Sequence, residues 1–178
     1  MKLTTKEMEH LIYRYLWKQG TYLCFEVMMP DTRGRYMYNN ERVDLLSYET
    51  KGYWRFYELK LTKSDFHSTS KVTFLGHYNY YVMPIELYQE VKDEIPSHVG
   101  VYAVYTRGNY HYISGCTKRA KKQELQVDSN LLMFSFMQAL SRENQKYRKI
   151  LSREFDKQQQ KELIKREEKE QDDDLWNL

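Results

Sequence analysis

The sequence predicts an α/β sandwich built around a mixed sheet. Three observations carry that expectation. An amphipathic helix leads the chain, three β-rich runs with turn residues between them follow, and two further β-rich runs are each preceded by a helix-type segment.

Thr4-Thr5-Lys6-Glu7 has the spacing of a capping box, and Met8, Leu11, Ile12, Tyr15 and Leu16 recur at helical intervals until Gly20 closes the segment. Tyr22 to Met29 is a first strand, stopped by Pro30. Residues 30–40 form a polar loop carrying Arg33 and Arg35. Arg42 to Tyr48 is a second strand, Glu49-Thr50-Lys51-Gly52 supplies turn chemistry, and Tyr53 to Leu61 is a third, so the last two pair as an antiparallel hairpin. Thr62-Lys63-Ser64-Asp65 then opens a helix reaching Leu75, capped by Thr62 or Ser64. Tyr78 to Met83 is a fourth strand, and Pro84 starts a helix over Ile85 to Glu94. Val99 to Thr106 is a fifth strand and Asn109 to Ile113 a sixth, turned by Arg107-Gly108.

Residues 129–141 form an apolar helix through Leu131, Leu132, Phe134, Phe136 and Leu140. Residues 142–170 are polar, helix-prone and free of glycine and proline, fraying toward Asp172-Asp173-Asp174. The expected organisation is a core over residues 1–116, a basic segment and apolar helix packing on it over 117–151, and a charged helical tail over 152–178.

Composition narrows the partners. The 178 residues suffice for one domain with an appendage. No apolar run approaches the ~20 residues that span a bilayer. The first residues lack the apolar stretch of a signal peptide. Cys24 and Cys116 show neither paired nor metal-ligand spacing, and the five histidines share no ligand spacing. These features point to free thiols and a cytoplasmic location without membrane association. The net charge of +3 is unevenly spread, because residues 152–178 carry six Lys/Arg against nine Asp/Glu and the first 151 residues carry 22 against 16. A basic body with an acidic tail is compatible with nucleic acid as partner.

The hairpin concentrates the chemistry. Asp44 interrupts the apolar segment Val43-Asp44-Leu45-Leu46, and Glu58 and Lys60, two apart on the next strand, leave the same face while Leu59 and Leu61 turn to the core. Asp44 and Glu58, with the Leu59 carbonyl, are hard oxygen donors of the kind Mg2+ or Mn2+ takes. Lys60 beside them could orient or deprotonate a water, or balance charge on a phosphate. The same residues equally suit a surface ion pair between neighbouring strands.

Arg42-Val43-Asp44-Leu45-Leu46 followed by Tyr57-Glu58-Leu59-Lys60-Leu61-Thr62-Lys63-Ser64-Asp65-Phe66 resembles the PD-(D/E)XK nuclease superfamily, in its MmcB-like DNA-repair and phage branch. Lys71, the aromatic strand Tyr78-Asn79-Tyr80-Tyr81-Val82-Met83 ending in Pro84, and Ile95-Pro96-Ser97-His98-Val99-Gly100-Val101-Tyr102 extend the likeness over residues 4–106. The proline that precedes the motif aspartate is replaced by Val43. The resemblance implies a restriction-endonuclease-like αβββαβ sandwich with added C-terminal helices. It also implies catalysis by Asp44, Glu58 and Lys60, and a metal held by Asp44, Glu58 and Leu59. An acidic residue of the first helix, Glu9 or Glu7, would assist; Glu26 of the first strand is another candidate and equally suits an edge-strand carboxylate.

The expected activity is metal-dependent hydrolysis of DNA phosphodiester bonds, in DNA repair, recombination or a phage accessory role. Arg33, Arg35, Lys63, Lys71 and the cluster Lys118, Arg119, Lys121 and Lys122 are candidate phosphate contacts, although each also fits a solvated surface cation. The second expectation is a non-cleaving DNA- or protein-binding module on the same fold, such as an inhibitor of a host nuclease system. The C-terminal helices would then serve a homodimer or a protein partner.

Overall fold

A computed structural model describes residues 2–30, 41–68 and 74–175. Its first helix, α1 (Thr5–Leu16), starts where the capping box requires. The Glu7 N–H donates to Thr4 Oγ1 at 3.2 Å, and the Thr4 N–H donates to Glu7 Oε2 at 2.8 Å. This exchange satisfies two amides that a helix start leaves without partners. The helix ends with Trp17 as C-cap, three residues ahead of Gly20, which serves the turn into β1 with a φ of 78°.

Strands β1 (Thr21–Met28), β2 (Arg42–Glu49) and β3 (Tyr53–Leu59) pair antiparallel in sequence order. Gly52, at a φ of 85°, closes the β2–β3 hairpin by donating to the Glu49 carbonyl at 2.8 Å. The chain then makes a single helical turn, α2 (Lys63–Phe66), capped by Thr62 and not Ser64. The helix expected to reach Leu75 ends at Phe66, and residues 69–73 lie outside the described residues. His67 is already the C-cap, and the Ser68 N–H bends back to the Asp65 carbonyl.

Strand β4 (Tyr78–Pro84) pairs parallel with β3, and after α3 (Ile85–Val91) strand β5 (Gly100–Arg107) pairs parallel with β4. Strand β6 (Tyr110–Tyr112) returns antiparallel along β5. The result is a six-stranded mixed sheet in the order β1-β2-β3-β4-β5-β6. Gly100 is required at the start of β5, because a Cβ there would lie 2.5 Å from the Tyr80 ring and 2.7 Å from the Ala120 nitrogen.

Each face of the sheet buries its own core. Met8 and Ile12 of α1 pack with Leu23, Leu45, Tyr57, Leu59, Tyr80, Val82 and Val104, and Leu61 covers this cluster, so Leu59 and Leu61 do face the core. Leu87 and Val91 of α3 pack with Tyr81, Met83, Ile95, Val99 and Val101. The last helix, α4 (Ser129–Leu175), begins at Asp128, whose Oδ1 accepts from the Asn130 and Leu131 amides at 2.9 and 3.0 Å. Its first turns bury Leu132 and Phe136. The Trp54 indole donates to Ser129 Oγ at 3.2 Å and meets the Phe136 ring edge-on.

The chain forms two compact units, residues 1–139 and 140–178. The division falls inside one continuous helix, whereas the sequence suggested breaks near 116 and 151. Within the second unit the side chains from Asn144 through Leu163 are exposed. Cys24 and Cys116 are not joined in a disulfide. Among the described residues no helix is long and apolar enough to cross a membrane.

Candidate functional site

The β2–β3 ladder ends at the pair Leu45↔Tyr57. One step further, Asp44 fills the opening, and its Oδ2 accepts the Leu59 N–H at 2.7 Å, the place a strand carbonyl would take. The next amide, that of Lys60, donates across to the Val82 carbonyl at 2.9 Å, so the end of β3 is anchored on both sides. This junction brings Asp44, Glu58, Leu59 and Lys60 to one cleft of about 310 Å³, which Glu9 of α1 and Glu26 of β1 also line.

Thr5, Arg42 and Asp65 complete that cleft, and the sequence reading assigned none of them to it. Arg42 was within reach, because it lies two residues before Asp44 and so shares its strand face. Asp65 closes a loop over Lys60. Its Oδ2 accepts the Leu61 N–H at 3.0 Å, and its Oδ1 lies 3.7 Å from Lys60 Nζ. Glu7 is committed to the helix cap, which leaves Glu9 as the α1 carboxylate at the cleft.

Charge in the cleft is concentrated and partly buried. Glu58 and Lys60 are each only 5% exposed. Burial pushes the Asp44 carboxyl above its ordinary range; the Leu59 N–H and Lys60 oppose the shift, while Glu26 and Asp65 add to it. Glu9 is raised as well, by burial first, with Glu26 and Asp44 reinforcing and Lys6 opposing. Burial, with Glu58 alongside, lifts the Tyr81 phenol to about 12. Arg42 meets one of these carboxylates, lying 2.6 Å from Glu26.

Glu26 itself is held at a φ of 54° in the middle of a strand, between the pairs Phe25↔Leu45 and Val27↔Val43 and hence across from Asp44. A left-handed conformation in a residue with a Cβ costs roughly 1–2 kcal/mol, and such strain gathers at functional sites.

The donor set of two carboxylates and a backbone carbonyl is hard oxygen of the kind Mg2+ or Mn2+ takes, and a cation would relieve the burial and the neighbouring carboxylates that raise Asp44 and Glu9. Among the described residues, no group of three or more His, Cys, Asp and Glu side chains could hold a metal ion. A cation here would therefore have two carboxylates, the Leu59 carbonyl and water as ligands.

Among the described residues, Lys63, Lys118, Arg119, Lys121 and Lys122 do not line the cleft. Lys63 pairs with Glu90 at 3.8 Å. The Lys118 ammonium donates to the carbonyls of Ile95 and Pro96 at 3.2 and 2.9 Å, which gives it a structural task. Arg119 and Lys121 are exposed, and Lys122 sits over the Tyr53 ring at 5.1 Å, at the opposite end of β3 from Glu58. Arg33, Arg35 and Lys71 lie outside the described residues.

Fold and site together define an α/β protein with a buried, carboxylate-rich cleft at the end of a strand hairpin. No protein-family model and no curated protein matches the chain. A solved structure is similar in fold, the SPO1766 protein of unknown function from Silicibacter pomeroyi. It has a TM-score of 0.56 at 16% identity, over 83% of this chain and 91% of that one.

Proposed function

We propose that the chain is a Mg2+-dependent nuclease of the PD-(D/E)XK type, with a restriction-endonuclease-like core, that hydrolyses DNA phosphodiester bonds. The observation that carries this reading is the convergence of Asp44, Glu58 and Lys60 on one cleft with Glu9 and Glu26 beside them. In this reading Asp44, Glu58 and the Leu59 carbonyl hold the ion. When bound, Mg2+ supplies Lewis-acid polarisation of the phosphate and acidifies a coordinated water.

The chain's own residues do the rest. The Leu59 N–H fixes the orientation of Asp44, and Asp65 stands beside the Lys60 ammonium. Lys60 either balances charge developing on the phosphoryl oxygens or, once deprotonated, accepts the proton of the attacking water. The Arg42 guanidinium, at the cleft with Glu26, is placed to exchange that carboxylate for a phosphate.

The second reading, a DNA- or protein-binding module without cleavage, draws on the same ion pair. Arg42 at 2.6 Å neutralises a carboxylate that a cation would otherwise use. The deciding experiment incubates purified protein with plasmid and oligonucleotide DNA in Mg2+ or Mn2+, beside Glu58→Ala and Lys60→Ala. The nuclease reading expects cleavage that both substitutions abolish. Cleavage that survives both ends it, and binding without cleavage selects the module.

A further inference from the structure

The exposed part of α4 carries a pattern that the cleft does not explain. Arg142, Lys146, Lys149, Arg153 and Lys157 follow one another at intervals of four, three, four and four residues. At about 100° per residue they fall within a sector of about 80° and run for about 22 Å along the axis. Tyr147, Leu151 and Phe155 lie on the far side of the same turns, and Ile150 borders the stripe. The stripe then stops. The positions that would continue it are Gln160, Ile164 and Glu167.

This is not the even scatter that solubility alone would produce. Residues 140–153 hold five basic side chains and one acidic, whereas residues 154–174 hold five basic and nine acidic. Glu143 engages the start of the stripe, lying 2.8 Å from Lys146 and 3.7 Å from Arg142. Lys149, Arg153 and Lys157 are exposed on the turns that follow. A single nucleic-acid strand presents a charge about every 3.4 Å of duplex axis. A row of cations of this length therefore faces some six or seven phosphates, and long flexible side chains on a rigid helix suit contacts that ignore base sequence.

We propose that residues 142–157 of α4 form a phosphate-tracking face that binds a nucleic-acid backbone without sequence preference. The proposal rests on the reading of nucleic acid as substrate but not on cleavage. Anionic lipid offers the same phosphate chemistry, and the experiment separates the two.

Binding of the full chain to a fluorescent 20-base-pair duplex is measured in EDTA over a range of salt, for the wild type and for the quadruple substitution Lys146→Gln, Lys149→Gln, Arg153→Gln and Lys157→Gln. Glutamine keeps helix propensity close to that of lysine, and far-ultraviolet circular dichroism verifies the helix. Neutralising Lys161, Lys165 and Lys169 provides a matched control away from the stripe. The expected result is at least tenfold weaker binding for the quadruple variant only, with the slope of log K against log salt reduced by about 3–4. Unchanged affinity and slope overturn the proposal, as does an equal loss in the control. Wild type that ignores DNA but binds phosphatidylserine vesicles also overturns it. Cleavage is scored separately in Mg2+, so a wild type that binds but never cuts removes the nuclease reading and leaves this face standing.

Discussion

The two ends of β3 each bury a cation, and they treat it differently. Near the hairpin turn, Arg55 makes a two-pronged contact with Glu49 at 2.9 and 3.3 Å, donates to the Tyr80 hydroxyl at 3.2 Å and lies over the Tyr78 ring at 4.4 Å. Burial works against its charge, but Glu49 and the neighbouring tyrosines more than offset that and hold the guanidinium above its ordinary value. At the other end, Lys60 is more deeply buried, and the Asp65 carboxylate stands off at 3.7 Å. Asp44 and Glu9 nearby are pushed toward their neutral forms. A fully paired network fixes a sheet, whereas a mismatched one leaves a field that a ligand can satisfy.

This contrast can be broken most forcefully at Lys60. Lys60→Met should lower the cleavage rate by about 10²–10⁴-fold, while circular dichroism shows an intact fold; a variant that unfolds instead would make Lys60 a structural residue like Arg55. Arg55→Ala should do the reverse. Leaving Glu49 half-buried without its partner should cost about 2–3 kcal/mol in denaturant unfolding, at the lower edge for a broken pair because solvent reaches this one. Cleavage per folded molecule should not change.

Metal sharpens the comparison. At tenfold above its dissociation constant, Mg2+ should raise the stability of the wild type by about 1.4 kcal/mol, seen as a higher thermal midpoint, and should leave Asp44→Asn unmoved. Equal stabilisation of both proteins would locate the ion elsewhere.

The smallest effect should come from charge relief alone. Asp44 and Glu9 have raised values in the folded chain, so the folded state holds their protons more tightly than the unfolded one. Their contribution is therefore favourable at low pH and is lost as pH rises through the folded values. Without metal, Asp44→Asn should thus stabilise the protein by about 0.5–1 kcal/mol at pH 7. The gain should vanish as the pH falls below the ordinary carboxylate range. A gain that persists in acid would mean that packing, not charge, is responsible.

Much of this site was legible because its parts are local. The break in polarity at Asp44 and the two-residue step from Glu58 to Lys60 are strand-scale patterns, and one hairpin suffices to join them. Glu9 and Glu26 line the same cleft from α1 and β1. What stayed hidden depends on contacts distant in sequence or on competition between local forms. Lys118 reads as one cation of a basic run, and only the approach of residues 95 and 96 turns its ammonium into a tether. The helix opening at Thr62 rested on its capping residues, and α2 ends after a single turn with Asp65 folded back on Leu61. The last helix reads as separate segments because its apolar face thins after Leu140, yet no glycine or proline interrupts the backbone.

The bond from the Leu59 amide to Asp44 gives the cleft its own gauge. That N–H sits inside the sheet and donates to a side chain at 2.7 Å, so its proton resonance and its exchange with deuterated solvent follow the state of a single carboxylate. Anything that withdraws electron density from Asp44, whether a proton in acid or a divalent ion, should move that one signal ahead of its strand neighbours. Occupancy could then be followed by nuclear magnetic resonance before any substrate is identified.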